Sequence, residues 1–452
     1  MKFMLLLYKK CRLYWVDTAG VNALVFAFVL PALLAAGGLA VDLANAYNVK
    51  NRLANALDKT ALATANSVGD EEELKEIARN FFRANFREDA LGRAADPVIT
   101  FGDKTVSVQA QATVDLLFMD VFGKDTMTVS AISEVTRELS GIEVVLVLDV
   151  TGSMAGTNIA ALKSASTDFL DIMFTRIAQP ELIKVGIVPY SSTVNVGPYG
   201  LGEGADGSYY GPSFVSRPYN DDYYNNPQDI EYNPSDDTAW HGCVLAEDYP
   251  YDTLDNTPDG FGMYRFPRIC TASYWGYCYR YTTPNLNCPR TPIVPLTNNQ
   301  NELQDAIDDL YAEGSTYGNF GMVWGWRVIS PEAPFTEGEE YNSADWRKAV
   351  IMMTDGVNTM HNTYSAYGKT NRHNIRADDL DDRLADVCEN MKEEDILVYT
   401  ITFQSGVDEN TKDIYRKCAT VESMYTHAPS DDDLEEIFKK IANQLSRLHL
   451  SK

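Results

Sequence analysis

An unbroken apolar run at residues 144–148 (VVLVL) leads straight into Asp149-Val150-Thr151-Gly152-Ser153. Continuous Val and Leu read as a strand buried on both faces, the situation of a parallel sheet. A carboxylate and two hydroxyls then follow at i, i+2 and i+4. In open α/β sheets ligands bind in the crevice beyond the carboxyl ends of the strands. All three groups are hard oxygen donors, suited to Mg²⁺ or Mn²⁺. The strand therefore constrains both the fold class and the chemistry at its end.

The remainder of the C-terminal region has the same alternation. Strands are expected at 185–190, 349–353, 397–403 and 424–427, and helices at 159–174, 302–311, 320–329, 377–392 and 431–448. Alternating strands and helices point to an α/β fold with a doubly wound, mostly parallel sheet over residues 141–452. In the last helix Leu434, Ile437, Phe438, Ile441, Leu445 and Leu448 share one face, with Ser430 as N-cap. Residues 197–290 break the rhythm. They hold 14 of the 26 tyrosines, 13 acidic against 5 basic residues, and four cysteines. So long an irregular stretch is improbable as a plain loop. It reads as a disulfide-bearing insertion, serving either recognition, for which Tyr-rich surfaces are suited, or spacing alone.

Two further oxygen donors fall at corresponding places. Thr354-Asp355-Gly356 follows the apolar strand 349–353, and Gly314-Ser315-Thr316 precedes the helix 320–329. The insertion accounts for most of the distance from Ser153 to Thr316, and two βα units of about 30 residues each fill the rest. Singly these are common turn and cap signals. In this order, each at a strand end or helix entry, they form a candidate metal set: Asp149, Thr151, Ser153, Thr316 and Asp355.

The N-terminal region sets a location. Residues 21–41 (VNALVFAFVLPALLAAGGLAV) carry no charge, and a bilayer span needs about 20 apolar residues. The apolar core is long and runs on into helical sequence, so an uncleaved single-pass anchor is expected. Lys2, Lys9, Lys10 and Arg12 against Asp17 precede it, and Lys50, Arg52 and Lys59 against Asp42 and Asp58 follow. This bias places residues 1–19 in the cytoplasm and the body outside. A helix over 21–66 would be roughly 69 Å long. Its stripe of Leu43, Tyr47, Leu53, Leu57 and Ala61 can pack on other anchored helices or on its own domain. Residues 67–140 read as a small α+β unit, with a helix at 71–86 and strands at 98–101, 105–117 and 126–137.

The chain carries 64 Asp+Glu against 38 Lys+Arg, a net charge of −26. That argues against a nucleic-acid phosphate binder. Of seven cysteines, Cys11 falls on the cytoplasmic side as a free thiol. The other six, Cys243, Cys270, Cys278, Cys288, Cys388 and Cys418, lie in the exported part, an even number in an oxidising compartment. Six allow 15 pairings. The pairing expected is Cys388 with Cys418, and the other four among themselves. A zinc site is the alternative, although no C-x-x-C spacing occurs.

The five-residue set resembles the metal-ion-dependent adhesion site (MIDAS) of von Willebrand factor A domains, D-x-S-x-S, then Thr, then Asp. Asp149, Thr151, Ser153, Thr316 and Asp355 fall on its five positions. Thr151 stands where that pattern has Ser, keeping the hydroxyl and adding a methyl. The resemblance implies Mg²⁺ held by these oxygens, with an open position filled by an acidic residue of a partner protein. Residues 20–66 (GVNALVFAFVLPALLAAGGLAVDLANAYNVKNRLANALDKTALATAN) resemble the anchor of TadG-like proteins of the tight-adherence (Tad/Flp) pilus system. So do residues 314–331 (GSTYGNFGMVWGWRVISP), residues 351–356 and the Cys388/Cys418 pair. That likeness implies a bacterial inner-membrane protein with a periplasmic adhesion domain, assembling or tethering a pilus through pilus or envelope components.

A non-enzymatic, metal-dependent binding protein is the leading expectation. The sequence has no G-x-S-x-G, H-E-x-x-H or P-loop motif, and His241, His361 and His373 stand isolated. No catalytic residue is assigned. The alternative is a structural envelope anchor whose A domain is vestigial and metal-free.

Overall fold

The computed structural model describes residues 18–448, except positions 66, 68–70, 87–91, 103–104, 137–139, 178, 217–231, 238, 258–259, 266–268, 360–363 and 370–374. Cys11, His361, His373 and the charged flank before the apolar segment lie outside the described residues. The chain divides into two compact units, Met1–Glu138 and Leu139–Lys452.

The first unit is built on one long helix, α1 (Thr18–Ala65), which contains Pro31. Its N-terminal half is apolar and mostly exposed from Val25 to Leu43, long and apolar enough to cross a membrane. From Ala46 onward its character changes. Ala46, Val49, Leu53, Leu57, Ala61 and Ala65 are buried in a core shared with helix α2 (Glu71–Asn85) and an antiparallel sheet. That sheet comprises β1 (Arg93–Ala94), β2 (Val98–Phe101), β3 (Thr105–Asp115) and β4 (Thr126–Thr136), with β3 in the middle. Along β3 Val106, Val108, Ala110, Ala112 and Val114 alternate inward, the period of a half-buried strand. So Leu53, Leu57 and Ala61 of the helical stripe rest on the chain's own domain, while Leu43 and Tyr47 stay exposed.

The second unit is a mixed α/β body. A six-stranded sheet runs β11 (Val294–Thr297), β6 (Ile183–Tyr190), β5 (Gly141–Asp149), β12 (Trp346–Thr354), β15 (Leu397–Phe403), β16 (Tyr425–Ala428). All neighbours pair in parallel except β11, which runs antiparallel to β6. The nine residues of β5 are all buried because helices cover both faces. Ile142, Val144, Leu146 and Leu148 face α3 (Thr157–Arg176), α4 (Gln300–Asp308) and α8 (Asp431–Leu448). Val145 and Val147 face α5 (Gly318–Ile329), α6 (Ala377–Glu393) and α7 (Glu409–Cys418).

Helix α5 comes unusually close to the sheet. A Cβ on Gly325 would stand 2.4 Å from Val147 Cγ2, and one on Gly321 would stand 2.5 Å from Tyr190 Cγ. At the other end of the sheet the buried Glu143 lies between Lys184 and Lys348 of the two neighbouring strands, and both ammonium groups donate to it.

The 197–290 region contains the short strands β7 (Val215–Ser216), β8 (Phe261–Gly262), β9 (Cys270–Tyr274) and β10 (Tyr277–Tyr281). A further short pair, β13 (Tyr364–Ser365) and β14 (Gly368–Lys369), follows β12. Tyr199, Val215, Trp240, Val244, Phe261 and Met263 of the insertion join the same core as α5 and β5. Disulfides join Cys243 to Cys288, Cys270 to Cys278, and Cys388 to Cys418.

Candidate functional site

Strand order reverses between β5 and β12: the chain runs from β5 to β6 and β11 on one side, and from β12 to β15 and β16 on the other. A crevice opens beyond the strand ends at such a switch point. Asp149 is the last residue of β5, and Asp355 comes directly after β12.

Hydrogen bonds tie four of the five candidate residues together. The Thr151 N–H donates to Asp149 Oδ1 at 2.9 Å. Thr151 Oγ1 and Ser153 Oγ are 3.0 Å apart, and Ser153 Oγ donates to Asp355 Oδ1 at 2.8 Å. Asp149 and Thr151 are buried, whereas Ser153 is exposed, so the group runs from the sheet interior to the surface. Thr316 arrives by its backbone. The Gly152 N–H donates to Gly314 O at 3.0 Å, the Glu313 N–H to Val150 O at 2.8 Å, and the Thr359 N–H to Thr316 O at 2.9 Å. Its loop is thereby fixed between the segments that follow β5 and β12. Among the described residues, no hydrogen bond joins the Thr316 side chain to the other four.

Gly314 adopts φ +85°, and a Cβ there would meet Ser191 Oγ at 2.7 Å. A glycine is therefore needed for the loop to lie this close to the β6 end.

Two residues behind the site were not singled out from the sequence. Thr354 Oγ1 donates to Asp149 Oδ2 at 2.9 Å, and the Tyr190 hydroxyl donates to the same oxygen at 3.2 Å. Their signal was positional: Tyr190 closes the neighbouring strand, and Thr354 is the first residue of Thr-Asp-Gly.

Burial pushes the Asp149 carboxyl above its ordinary value, against hydrogen bonds from Thr151, Thr354 and the Asp355 backbone. Asp355 is pushed up to about 7, first by burial and then by the neighbouring Asp149 charge. Two carboxylates are thus held together where their charge is poorly solvated, an arrangement that a divalent cation relieves. Among the described residues no group of three or more His, Cys, Asp or Glu is placed so as to hold a metal ion. The set here has two carboxylates and three hydroxyls, a donor chemistry that fits Mg²⁺ or Mn²⁺ better than zinc.

Fold and site together define a mixed α/β protein with a carboxylate–hydroxyl cluster at the sheet's switch point, preceded by an apolar helix of membrane-spanning length. Residues 20–67 match the family model described as putative Flp pilus-assembly TadE/G-like. Comparison with curated proteins gives no match. Solved structures similar to this chain include the pilus adhesin SpaC from Lactobacillus rhamnosus GG (12% identity, 80% of this chain and 35% of that chain, TM-score 0.38). The von Willebrand factor domain of the type V pili tip protein Mfa5 from Porphyromonas gingivalis is similar at 10% identity, over 70% of this chain and 97% of that one, with TM-score 0.38. Proximal thread matrix protein 1 from the mussel byssus, with a zinc-occupied MIDAS motif, is similar at 12% identity, over 69% and 47%, with TM-score 0.34. The chain spans about a third of the length of the SpaC structure.

Proposed function

We propose that this chain is a single-pass protein of the bacterial inner membrane whose periplasmic body, a doubly wound von Willebrand factor A-like domain, binds a partner through a metal ion. It acts in assembling or tethering a tight-adherence pilus and catalyses no reaction. The observation that carries this reading is the hydrogen-bonded set of Asp149, Thr151, Ser153 and Asp355 at the switch point, with the Thr316 loop fixed beside it. Those five residues would hold Mg²⁺ or Mn²⁺, and the ion would supply a Lewis-acid point for a carboxylate of a pilus or envelope protein. Asp149 and Asp355 balance its charge. Tyr190 and Thr354 keep Asp149 oriented toward the crevice. The match of residues 20–67 to a Flp pilus-assembly family supports the pilus setting, and the apolar half of α1 supports the anchor.

The test is capture of envelope proteins by the full chain in Mg²⁺ against EDTA, with identification by mass spectrometry. Capture that needs Mg²⁺ and is lost in Asp149→Ala is expected. Equal capture in EDTA and by the variant would leave the structural anchor with a metal-free A domain as the function.

A further inference from the structure

Beside the candidate span, the loop between β3 and β4 carries its apolar side chains outward. Residues 116–123 read LLFMDVFG and include a short 3-10 turn, Met119–Phe122. Leu117, Phe118, Val121 and Phe122 are exposed, Val121 by 83%. Single exposed apolar residues are ordinary, but four within six positions form a patch that calls for an occupant.

The position of this loop along α1 identifies the occupant. Asp42, 2% exposed, accepts three consecutive backbone N–H groups of the loop: Leu117 at 2.9 Å, Phe118 at 3.0 Å and Met119 at 2.8 Å. Four residues earlier on the helix, Gly38 leaves room for Phe118: a Cβ there would lie 2.6 Å from the Phe118 Cβ. The uncharged segment 21–41 is about 30 Å long as a helix, and Gly38 lies about 4.5 Å inside its C-terminal end. Phe118 is therefore level with the last turn of the apolar segment, and Asp42 is just beyond it. Leu39 and Val41, at the same level of the helix, are also exposed. Asp120 and Lys124, also exposed, give the loop the mixed character of an interface.

We propose that this loop is a second membrane contact, seated in the outer interface of the bilayer that α1 spans, with its depth set by the Asp42 clamp. The proposal rests on the reading of α1 as a membrane span. The clamp satisfies three backbone donors that lipid could not, and that satisfaction is what allows non-helical backbone at this depth. It also fixes the helix against its own domain at the membrane exit. Leu117, Val121 and Phe122 then enter the boundary between headgroups and acyl chains.

The test uses the full chain in a Cys11→Ser background, reconstituted in phosphatidylethanolamine–phosphatidylglycerol vesicles. A nitroxide is placed by Val121→Cys, by Leu33→Cys inside the span, and by Glu134→Cys on exposed β4. Collision with oxygen and with a water-soluble nickel chelate is read by power-saturation electron paramagnetic resonance. The Val121 label is expected to have less contact with the chelate than Glu134, though more than Leu33, while remaining open to oxygen. Asp42→Ala is expected to restore chelate contact at Val121 and leave Leu33 unchanged; shielding retained in that variant would overturn the clamp. Chelate contact at Val121 equal to that at Glu134, with Leu33 in lipid, would overturn the loop alone. Shielding of Val121 from both reagents would mean that a protein covers the loop, and would likewise overturn it. Water access at Leu33 would overturn the span and the loop together.

Discussion

At the scale of single residues, Asp355 has two opposing roles. Without a cation its carboxylate is half-buried beside Asp149, and burial and the neighbouring charge push its pKa to about 7. With a cation the same charge becomes the binding term. Asp355→Asn keeps the size and one carbonyl oxygen that Ser153 can donate to, and removes the repulsion. It is therefore expected to raise the thermal midpoint in EDTA and to abolish the gain that Mg²⁺ gives the parent chain. At ten times the dissociation constant that gain is about 1.4 kcal/mol, roughly 2 °C for a unit of this size. Differential scanning fluorimetry in EDTA and in Mg²⁺ checks both signs. A variant less stable in EDTA, or still stabilised by Mg²⁺, would remove Asp355 from the site. At this scale much was legible: each of the four hydrogen-bonded residues lies at the end of an apolar strand or within four positions of it. Tyr190 and Thr354 were harder to read, because their contact with Asp149 exists only once three strands lie side by side.

At the scale of elements, α5 illustrates how a sequence of small residues sets a distance. Gly318, Gly321 and Gly325 recur on one face, and the last two meet Tyr190 and Val147 where a Cβ would collide. Gly321→Ala is expected to cost about 1–3 kcal/mol through overpacking and to weaken metal binding by displacing Tyr190 from Asp149. Gly406→Ala, where nothing lies within 4 Å, should change stability by less than about 0.5 kcal/mol. Denaturant midpoints of both variants and a metal titration of the first make the comparison. The Cys388–Cys418 disulfide joins α6 to the end of α7 across 30 residues. Its removal in a Cys388→Ala/Cys418→Ala chain is expected to cost about 3–4 kcal/mol on the chain-entropy account, read as a lower denaturant midpoint. Two elements of this unit escaped the sequence pattern. Strand β11 is four residues with Pro295 inside it, tolerable only at a sheet edge. Helix α7 buries only Thr411, Tyr415 and Cys418, so its i, i+4, i+7 stripe is hidden by polar residue types. The insertion hid its part in the core for a related reason: Val215, Trp240, Val244 and Phe261 are scattered among turns and keep no period.

At the scale of the whole molecule, the division into Met1–Glu138 and Leu139–Lys452 has a thermodynamic consequence. The first unit's described core is the second half of α1 against α2 and one antiparallel sheet. The second unit has a core on each face of its six-stranded sheet, and all five candidate metal residues belong to it. Because unfolding enthalpy scales with the number of residues that unfold, the second unit should absorb more than half of the heat. Chains of separate compact units need not unfold in one step. Calorimetry of the full chain in lipid nanodiscs is therefore expected to give two transitions. Mg²⁺ should move only the larger one, since a ligand stabilises the unit that binds it. Asp149→Ala should abolish that movement and leave the smaller transition where it was. A single transition that Mg²⁺ shifts as a whole would mean that the units unfold together. Movement of the smaller transition alone would place the cation outside the sheet's switch point.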